Sequence, residues 1–317
     1  MGYAKDRIWS PAICAIALGL SSIGHDVRAE TLRWKFSPGA TLHYRMEQKN
    51  VTAVKAPGHD IKTTVTQVTE TTWTVRSVDK DGTAAMEQTI DRIRMKIESP
   101  LGKPVEYDTA RDTKPGGLVA ATLVPTLKAI VGGTFRYSIT TRGEVSALQL
   151  PENLLQTLSD AGKTGQGTSM FSEEGLKSMI LDMALVLPEN DLARGESWSR
   201  RGKLAAPLGT EVRDKTYTYE GRDEPSNADR IAVSVSVGLE TAPNSTISIQ
   251  VRDQKDKGLY HFDNSAGRVV DATRTQSIRV VYSVVSPQTR TLQEVNESRE
   301  SSSTMILVEA KGGVASK

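Results

Sequence analysis

The chain has 317 residues, of which 40 are lysine or arginine and 38 are aspartate or glutamate, so its formal net charge at pH 7 is +2. A charge this close to zero produces no strong overall field that would steer the protein towards nucleic acid. The single cysteine, Cys14, cannot form an internal disulfide. Because it lies in the first predicted segment, thiol catalysis and cysteine metal sites are excluded from the rest of the chain.

Residues 1–29 are predicted to be a secretory signal peptide. Lys5 and Arg7 give a basic start, an apolar stretch follows over 8–20, and residues 27–29 offer small side chains at the positions that a signal peptidase reads. The apolar stretch is shorter than the roughly 20 residues needed to cross a bilayer, and no later segment approaches that length. We therefore expect an exported protein, periplasmic or extracellular, without a transmembrane segment after cleavage. An uncleaved N-terminal helix is the alternative.

Residues 30–150 are predicted to form an N-terminal β half with one helix. In the clearest strand, the apolar residues Ile93, Met95 and Ile97 alternate with basic residues. A period of two is typical of a strand that buries one face. Residues 118–131 instead carry apolar side chains at helical spacing, which predicts the helix of this half.

Residues 151–172 are predicted to hold a short helix over 152–160, followed by a flexible linker rich in glycine, serine and threonine. Residues 173–311 are predicted to begin with a helix over 174–187 and to continue as a C-terminal β half. The last residues, 312–317, are predicted to be a disordered tail.

Within the C-terminal half, alternating apolar residues predict several consecutive strands, one of them over 231–239. Three polar segments between the apolar runs are predicted to be turns, at 214–227, 242–244 and 253–258. The predicted half is therefore an antiparallel meander with long polar connections.

The predicted fold class is mainly β (α+β), with curved antiparallel sheets, or one continuous sheet, and two or three helices packed on them. Residues 133–145 and 258–269 match as an aromatic strand, a glycine turn and a second strand. This weak internal repeat would correspond to two half-barrel repeats. The alternative is that any β-hairpin shows such a pattern.

The chemistry-bearing residues do not combine into a recognisable site. The three histidines after the predicted signal peptide, His43, His59 and His261, lack a second pair of ligands, so neither a metal site nor a cofactor is predicted. Residues 162–164 end like a phosphate-binding loop but lack its first glycine. Because no nucleophile, base and orienting group assemble, the protein is not predicted to be an enzyme.

Arg92, Arg94 and Lys96 form a basic row on one face of a predicted strand and are the candidate ligand-binding residues. Further basic residues could extend the row on a neighbouring strand: Arg33, Lys35 and Arg45. The row could contact anionic lipid, lipopolysaccharide or an acidic polymer. The alternative is a solvated sheet face, which is normal for an antiparallel sheet. The tryptophans that follow the signal are expected in the core: Trp34, Trp73 and Trp198.

Three features together resemble a bacterial family of exported proteins that is known only as a domain of unknown function. They are the opening at 32–39, the strand and turn at 133–145, and the motifs Leu-Pro-Glu at 187–189 and Gly-Glu-Ser-Trp at 195–198. The resemblance implies no activity and no site residue. More loosely, half-barrel sheets with helices resemble the lipoprotein carriers that bind acyl chains, which is an analogy of fold.

The sequence thus predicts an exported, non-enzymatic envelope or periplasmic protein that binds an apolar or anionic partner, either a lipid-like ligand or an envelope component. Nucleic acid is not a predicted partner. The first alternative is a structural or protein-interaction module without a small ligand, because free strand edges make such contacts easy. The second is a hydrolase whose site is not recognisable from spacing.

Overall fold

The computed structural model covers most of the chain after the predicted signal peptide. It describes residues 29–56, 58–100, 102–111, 118–163, 172–206, 209–241, 245, 247–285 and 292–308. The predicted signal peptide up to residue 28, the linker residues 164–171 and the predicted tail lie outside the described residues. Among the helices of this described part, none is long and apolar enough to cross a membrane.

Twelve strands and three helices occur in the described residues, and strand accounts for 65% of the structure against 11% for helix, which confirms the mainly β prediction. The strands are β1 (Thr41–Ala56), β2 (His59–Val78), β3 (Ala84–Glu98), β4 (Val105–Asp108), β5 (Thr134–Ile139), β6 (Val145–Gln149), β7 (Ser197–Ala206), β8 (Gly209–Asp223), β9 (Ala228–Thr241), β10 (Ile247–Asp263), β11 (Arg268–Val285) and β12 (Leu292–Val308). The helices are α1 (Leu118–Ile130), α2 (Glu152–Lys163) and α3 (Glu173–Met183).

All of these strands join one antiparallel sheet in the order β6-β5-β3-β2-β1-β12-β11-β10-β9-β8-β7, while β4 pairs with β3 beside this path. β1 and β12 pair from His43 with Val308 to Lys55 with Asn296. The first and last strands therefore lie side by side in the middle of the sheet. The sheet is continuous, which is one of the two arrangements predicted, and whether its halves are a duplication stays a prediction.

The core consists of two clusters on one face of the sheet, which we call the inner face; the opposite face is the outer face. The first cluster gathers residues of β8 to β11 with Leu32 and Trp34, and the second gathers residues of β2, β3, β5, α1 and α2. Phe36 and Trp73 are partly buried and pack against both clusters. With Trp198 packed on the first cluster, the predicted core placement of the tryptophans is confirmed.

Residues 30–36 form an N-terminal strap that is held by both hairpin turns of the predicted repeat. The Trp34 backbone N donates to the Thr141 carbonyl at 2.8 Å, and the Lys35 backbone N donates to the Gly267 carbonyl at 3.1 Å. Because the two turns come from distant parts of the sheet, the strap links its N-terminal and C-terminal halves.

Helix α3 ends at Met183, four residues before its predicted end. The Trp34 indole donates to the Leu185 carbonyl at 3.2 Å, and the Trp198 indole donates to the Val186 carbonyl at 2.8 Å. The helix stops at its C-cap Ala184, which has an extended conformation, and the side chains of Leu185 and Val186 that follow are buried. Tertiary contacts therefore override the apolar period that predicted a longer helix.

Asp182 anchors the end of α3 to the inner face of β8. Its Oδ2 lies 2.9 Å from Arg213 Nη1, and its Oδ1 lies 2.9 Å from Lys215 Nζ. Gly202 leaves room for this carboxylate, because a Cβ there would lie 2.7 Å from Oδ1. Burial lowers the pKa of Lys215, and the charge of Asp182 opposes that shift. The inner-face charges of this cluster are thus paired with one another.

Candidate functional site

The predicted basic row lies on the outer face of β3, as expected from the alternation with the inward Ile93 and Ile97. Each of its cations has a carboxylate partner. The pairs are Arg92–Asp108 at 2.7 Å, Arg94–Glu70 at 2.9 Å and Lys96–Glu98 at 2.9 Å. The charge of the row is therefore largely offset within the protein, and its role as a ligand site stays a prediction.

The predicted extension of this row on a neighbouring strand is wrong. Arg45 shares the outer face with Arg92, but it lies on β1, and Glu70 of the intervening β2 stands between them in register. Arg33 lies in the strap and donates to the Pro188 carbonyl at 2.8 Å. Lys35, also in the strap, donates to the Ser265 carbonyl at 3.3 Å. The strap runs outside the sheet ladder, so neither of its cations can join a row of strand side chains.

A second basic row crosses the outer face at right angles to the strands, and we call it the lysine row. It consists of register partners on β10, β11, β12, β1, β2 and β3, which share one face of the sheet because paired residues point the same way. In order, they are Lys257, Thr275, Ser302, Lys49, Thr66 and Lys96. The spacing of neighbouring strands places the backbones of β10 and β1 roughly 14 Å apart. In this row, the strand positions between the lysines are therefore occupied by serine and threonine hydroxyl groups.

The β10 to β1 part of the lysine row lines a groove of about 460 Å³. Lys49 stands on one side of the groove, and Lys255 and Lys257 stand on the other. The groove is also lined by hydroxyl side chains and by Glu300. All three lysines are exposed, and none of them forms an ion pair within the described ranges. The volume falls in the range of small-molecule sites, and the free ammonium groups are suited to an anionic ligand.

Asp256, an inner-face residue of β10, fixes the segment that carries Lys255 and Lys257. Its carboxylate is 3% exposed and accepts from Arg274 Nη2 at 2.7 Å. It also accepts from Gln276 Nε2 at 3.0 Å and from the backbone N of Val235 at 3.0 Å. The last bond replaces a ladder bond, because the pairing of β9 with β10 covers only 229–233 and 258–262. The two lysines therefore alternate with a firmly held inward residue.

His43 takes part in an outer-face hydrogen-bond chain. Its Nδ1 lies 2.9 Å from Thr72 Oγ1, and the Thr72 hydroxyl donates to Asp91 Oδ2 at 2.6 Å. A hydroxyl has one proton, so His43 Nδ1 must be the donor to Thr72 and cannot act as a base towards it. This chain therefore lacks the proton acceptor that a hydrolytic Thr–His pair needs.

The remaining predicted chemistry is equally sparse. His261 Nδ1 lies 2.8 Å from Asp271 Oδ1, in register across β10 and β11. No group of three His, Cys, Asp or Glu side chains that could hold a metal ion occurs among the residues described here.

Sequence reasoning missed Lys49, Lys255 and Lys257. The segment 253–258 was expected to be a turn, and this is wrong because β10 runs through it. The two lysines separated by an inward carboxylate were the available signal, since they show a period of two. The run 301–303 of serines was a second signal for a hydroxyl-lined strand.

Comparison with known proteins identifies the family of the chain but no activity. A family model described as a family of unknown function, DUF6263, matches residues 81–265, which is more than half of the chain and confirms the predicted resemblance. No curated protein sequence matches significantly.

Two similar solved structures are lipovitellin, described for its lipid–protein interactions, and an outer membrane channel from Pseudomonas putida F1. Lipovitellin is 14% identical with a TM-score of 0.49, and the match covers 89% of this chain but only 26% of the lipovitellin chain. The channel is 10% identical with a TM-score of 0.25, and the match covers 87% of this chain and 97% of the channel. These scores are too low to carry an argument about function.

Proposed function

We propose that this chain, which belongs to the DUF6263 family of unknown function, is an exported, non-enzymatic protein that binds an anionic partner in the groove on its outer face. The observation that carries the proposal is that Lys49, Lys255 and Lys257 surround a hydroxyl-lined groove and form no ion pair with any residue that the structure describes. The signal-like segment 1–29 supports export, and the donor role of His43 supports a binding protein over a hydrolase.

Free and paired cations contribute differently to binding. A paired guanidinium, such as that of Arg92, already interacts with a carboxylate, so an incoming anion must compete with that partner. A free lysine near an anionic surface contributes about 1 kcal/mol to binding. Three such lysines contribute about 3 kcal/mol, which corresponds to about a hundredfold in affinity. The partner is therefore held mainly by charge, and binding weakens as salt rises.

The test compares two triple variants for binding to phosphatidylglycerol-containing vesicles and to neutral phosphatidylcholine vesicles. The groove variant replaces its three free lysines by glutamine: Lys49, Lys255 and Lys257. The control makes the same change of charge at three exposed lysines outside the lysine row: Lys80, Lys103 and Lys128.

We expect the parent and the control to bind the anionic vesicles alike, and the groove variant to bind about a hundredfold more weakly. Equal loss of vesicle binding in both variants would show that net charge alone is responsible and would refute the proposed site. Equal binding of the parent to both kinds of vesicle would refute anion recognition.

The predicted alternative, a protein-interaction module, would use a free edge of the sheet. At the two ends of the strand order in the described residues, these edges are β7, which pairs with β8, and β6, which pairs with β5. β7 carries Arg200, Arg201 and Lys203, and β6 has only 5 residues. Charged side chains and short edge strands both oppose the addition of another strand, so the groove is the better-supported contact surface.

A further inference from the structure

We propose that the ligand of the groove is a short saccharide or polyol that carries an anionic group at each end. This inference rests on the proposed function, because it specifies the anion that the same groove binds. It follows from the positions of the cations, the residues between them and the size of the groove.

The cations stand at opposite sides of the groove. Lys49 lies on β1, whereas Lys255 and Lys257 lie three strands away on β10, roughly 14 Å across the sheet. The two β10 lysines share one face about 7 Å apart along their strand. One end of the groove therefore offers a pair of ammonium groups, which suits a doubly charged phosphate, and the other end offers a single one.

The centre of the groove does not suit an anion. Between the cations, the outer face presents the hydroxyls of Ser302, Thr275 and Ser277, together with the carboxylate of Glu300. Glu300 forms no ion pair within the described residues. An ionised carboxylate only accepts hydrogen bonds, so it favours ligand hydroxyls and repels a negative charge placed beside it. The middle of the ligand is thus neutral and rich in hydroxyl groups.

The shape of the groove limits the length of the ligand. Its volume of about 460 Å³ fits a small molecule. Beyond Lys49, the lysine row continues to Lys96, which is already paired with Glu98 at 2.9 Å. A linear polyanion would place negative charge beside Glu300 and beside the Lys96–Glu98 pair. A compact molecule with charged ends places neutral hydroxyl groups beside Glu300 and does not reach that pair.

The experiment measures binding of soluble probes to the full chain by calorimetry. The probes are a glucosamine disaccharide phosphorylated at both ends, the same disaccharide phosphorylated at one end, and linear polyphosphate. We expect the bisphosphorylated disaccharide to bind about fivefold more tightly than the monophosphorylated one, because the contact with one cation is worth about 1 kcal/mol. Lys49→Gln is expected to abolish this difference.

Glu300→Gln separates the proposed ligand from a polyanion. The variant keeps the size of the side chain but removes its charge, so polyphosphate is expected to bind at least severalfold more tightly, while the disaccharide is expected to bind no better. Unchanged polyphosphate affinity would contradict the role given to Glu300 and overturn the inference.

Two further outcomes overturn the inference in distinguishable ways. Equal affinity for the two disaccharides would mean that the groove binds only one anionic group, which contradicts the inference but leaves the proposed function intact. Absence of binding to every anionic probe, including the vesicles, would overturn the proposed function as well. Vesicles that display the bisphosphorylated headgroup identify the source: tighter binding than to the free disaccharide indicates a lipid headgroup, and equal binding indicates a free saccharide.

Discussion

Gly143, in the turn between β5 and β6, is a position at which substitution is expected to disturb the strap. Its φ is +88°, and a Cβ there would overlap the Leu185 carbonyl oxygen and lie 2.5 Å from the Trp34 indole nitrogen. For Gly143→Ala, the left-handed backbone alone costs about 1 kcal/mol. Displacing the indole loses a hydrogen bond worth about 1 kcal/mol, and the overpacking costs about 1–3 kcal/mol. The variant should therefore lose about 3–5 kcal/mol of unfolding free energy.

The matched control for this substitution is Gly39→Ala. Gly39 has a similar φ of +81°, but no atom lies within 4 Å of the position its Cβ would take. It should therefore lose only the backbone part, about 1 kcal/mol. Urea unfolding followed by circular dichroism gives both midpoints and slopes. Equal losses in the two variants would refute the reasoning that the strap packs tightly against this turn.

The remaining two predictions concern acidic residues, and both are tested by measuring the free energy of unfolding in urea at a series of pH values. Burial raises the pKa of Asp229, so its ionised form opposes folding and its penalty grows as pH rises through the unfolded and then the folded pKa. Asp229→Asn keeps an acceptor for the Tyr219 hydroxyl. Its stability advantage over the parent should be absent in acid and grow as pH rises above the ordinary carboxyl pKa of about 4; a gain confined to acid would contradict this. Hydrogen bonds from Arg92 lower the pKa of Asp108 to about 2, so the stability it contributes is complete above its ordinary pKa and is lost as pH falls from about 4 through 2. Asp108→Asn should flatten that acid decline, and an unchanged decline would show that the pair does not stabilise the fold.

The strands whose inner face is purely apolar could be predicted from the sequence. β9 is an example, since Val233, Val235 and Val237 alternate with polar residues and are all buried. β10 could not be predicted throughout, because its inward positions at the groove are Gln254 and Asp256. Their side chains accept hydrogen bonds from the backbone of β9. Polar side chains that take the place of backbone hydrogen bonds between strands give a segment the same composition as a turn. This is why the prediction at 253–258 was wrong.

The candidate site could be predicted only in part, because a period of two gives the face of a residue but not its neighbours across the sheet. Lys96 was placed correctly on an outer face. Its position in one row with Lys49 and Lys257 depends on the register of β1, β2, β3 and β10 to β12. The pairing of β1 with β12 joins the two ends of the described chain. Such long-range pairing is fixed by the whole sheet, so a local pattern cannot indicate it.

The charges of the outer face also decide which part of the lysine row receives a ligand. The step from Lys49 to Lys96 spans two strands, roughly 10 Å, and is shorter than the step from Lys49 to Lys257. However, hydrogen bonding and charge from Glu98, with a further contribution from the charge of Glu106, raise the pKa of Lys96. These carboxylates would repel an anion bound at that end, whereas Lys257 has no carboxylate partner in the described sheet. A ligand with two anionic ends therefore gains binding energy from both lysines only when it spans the longer distance, from Lys49 to Lys257.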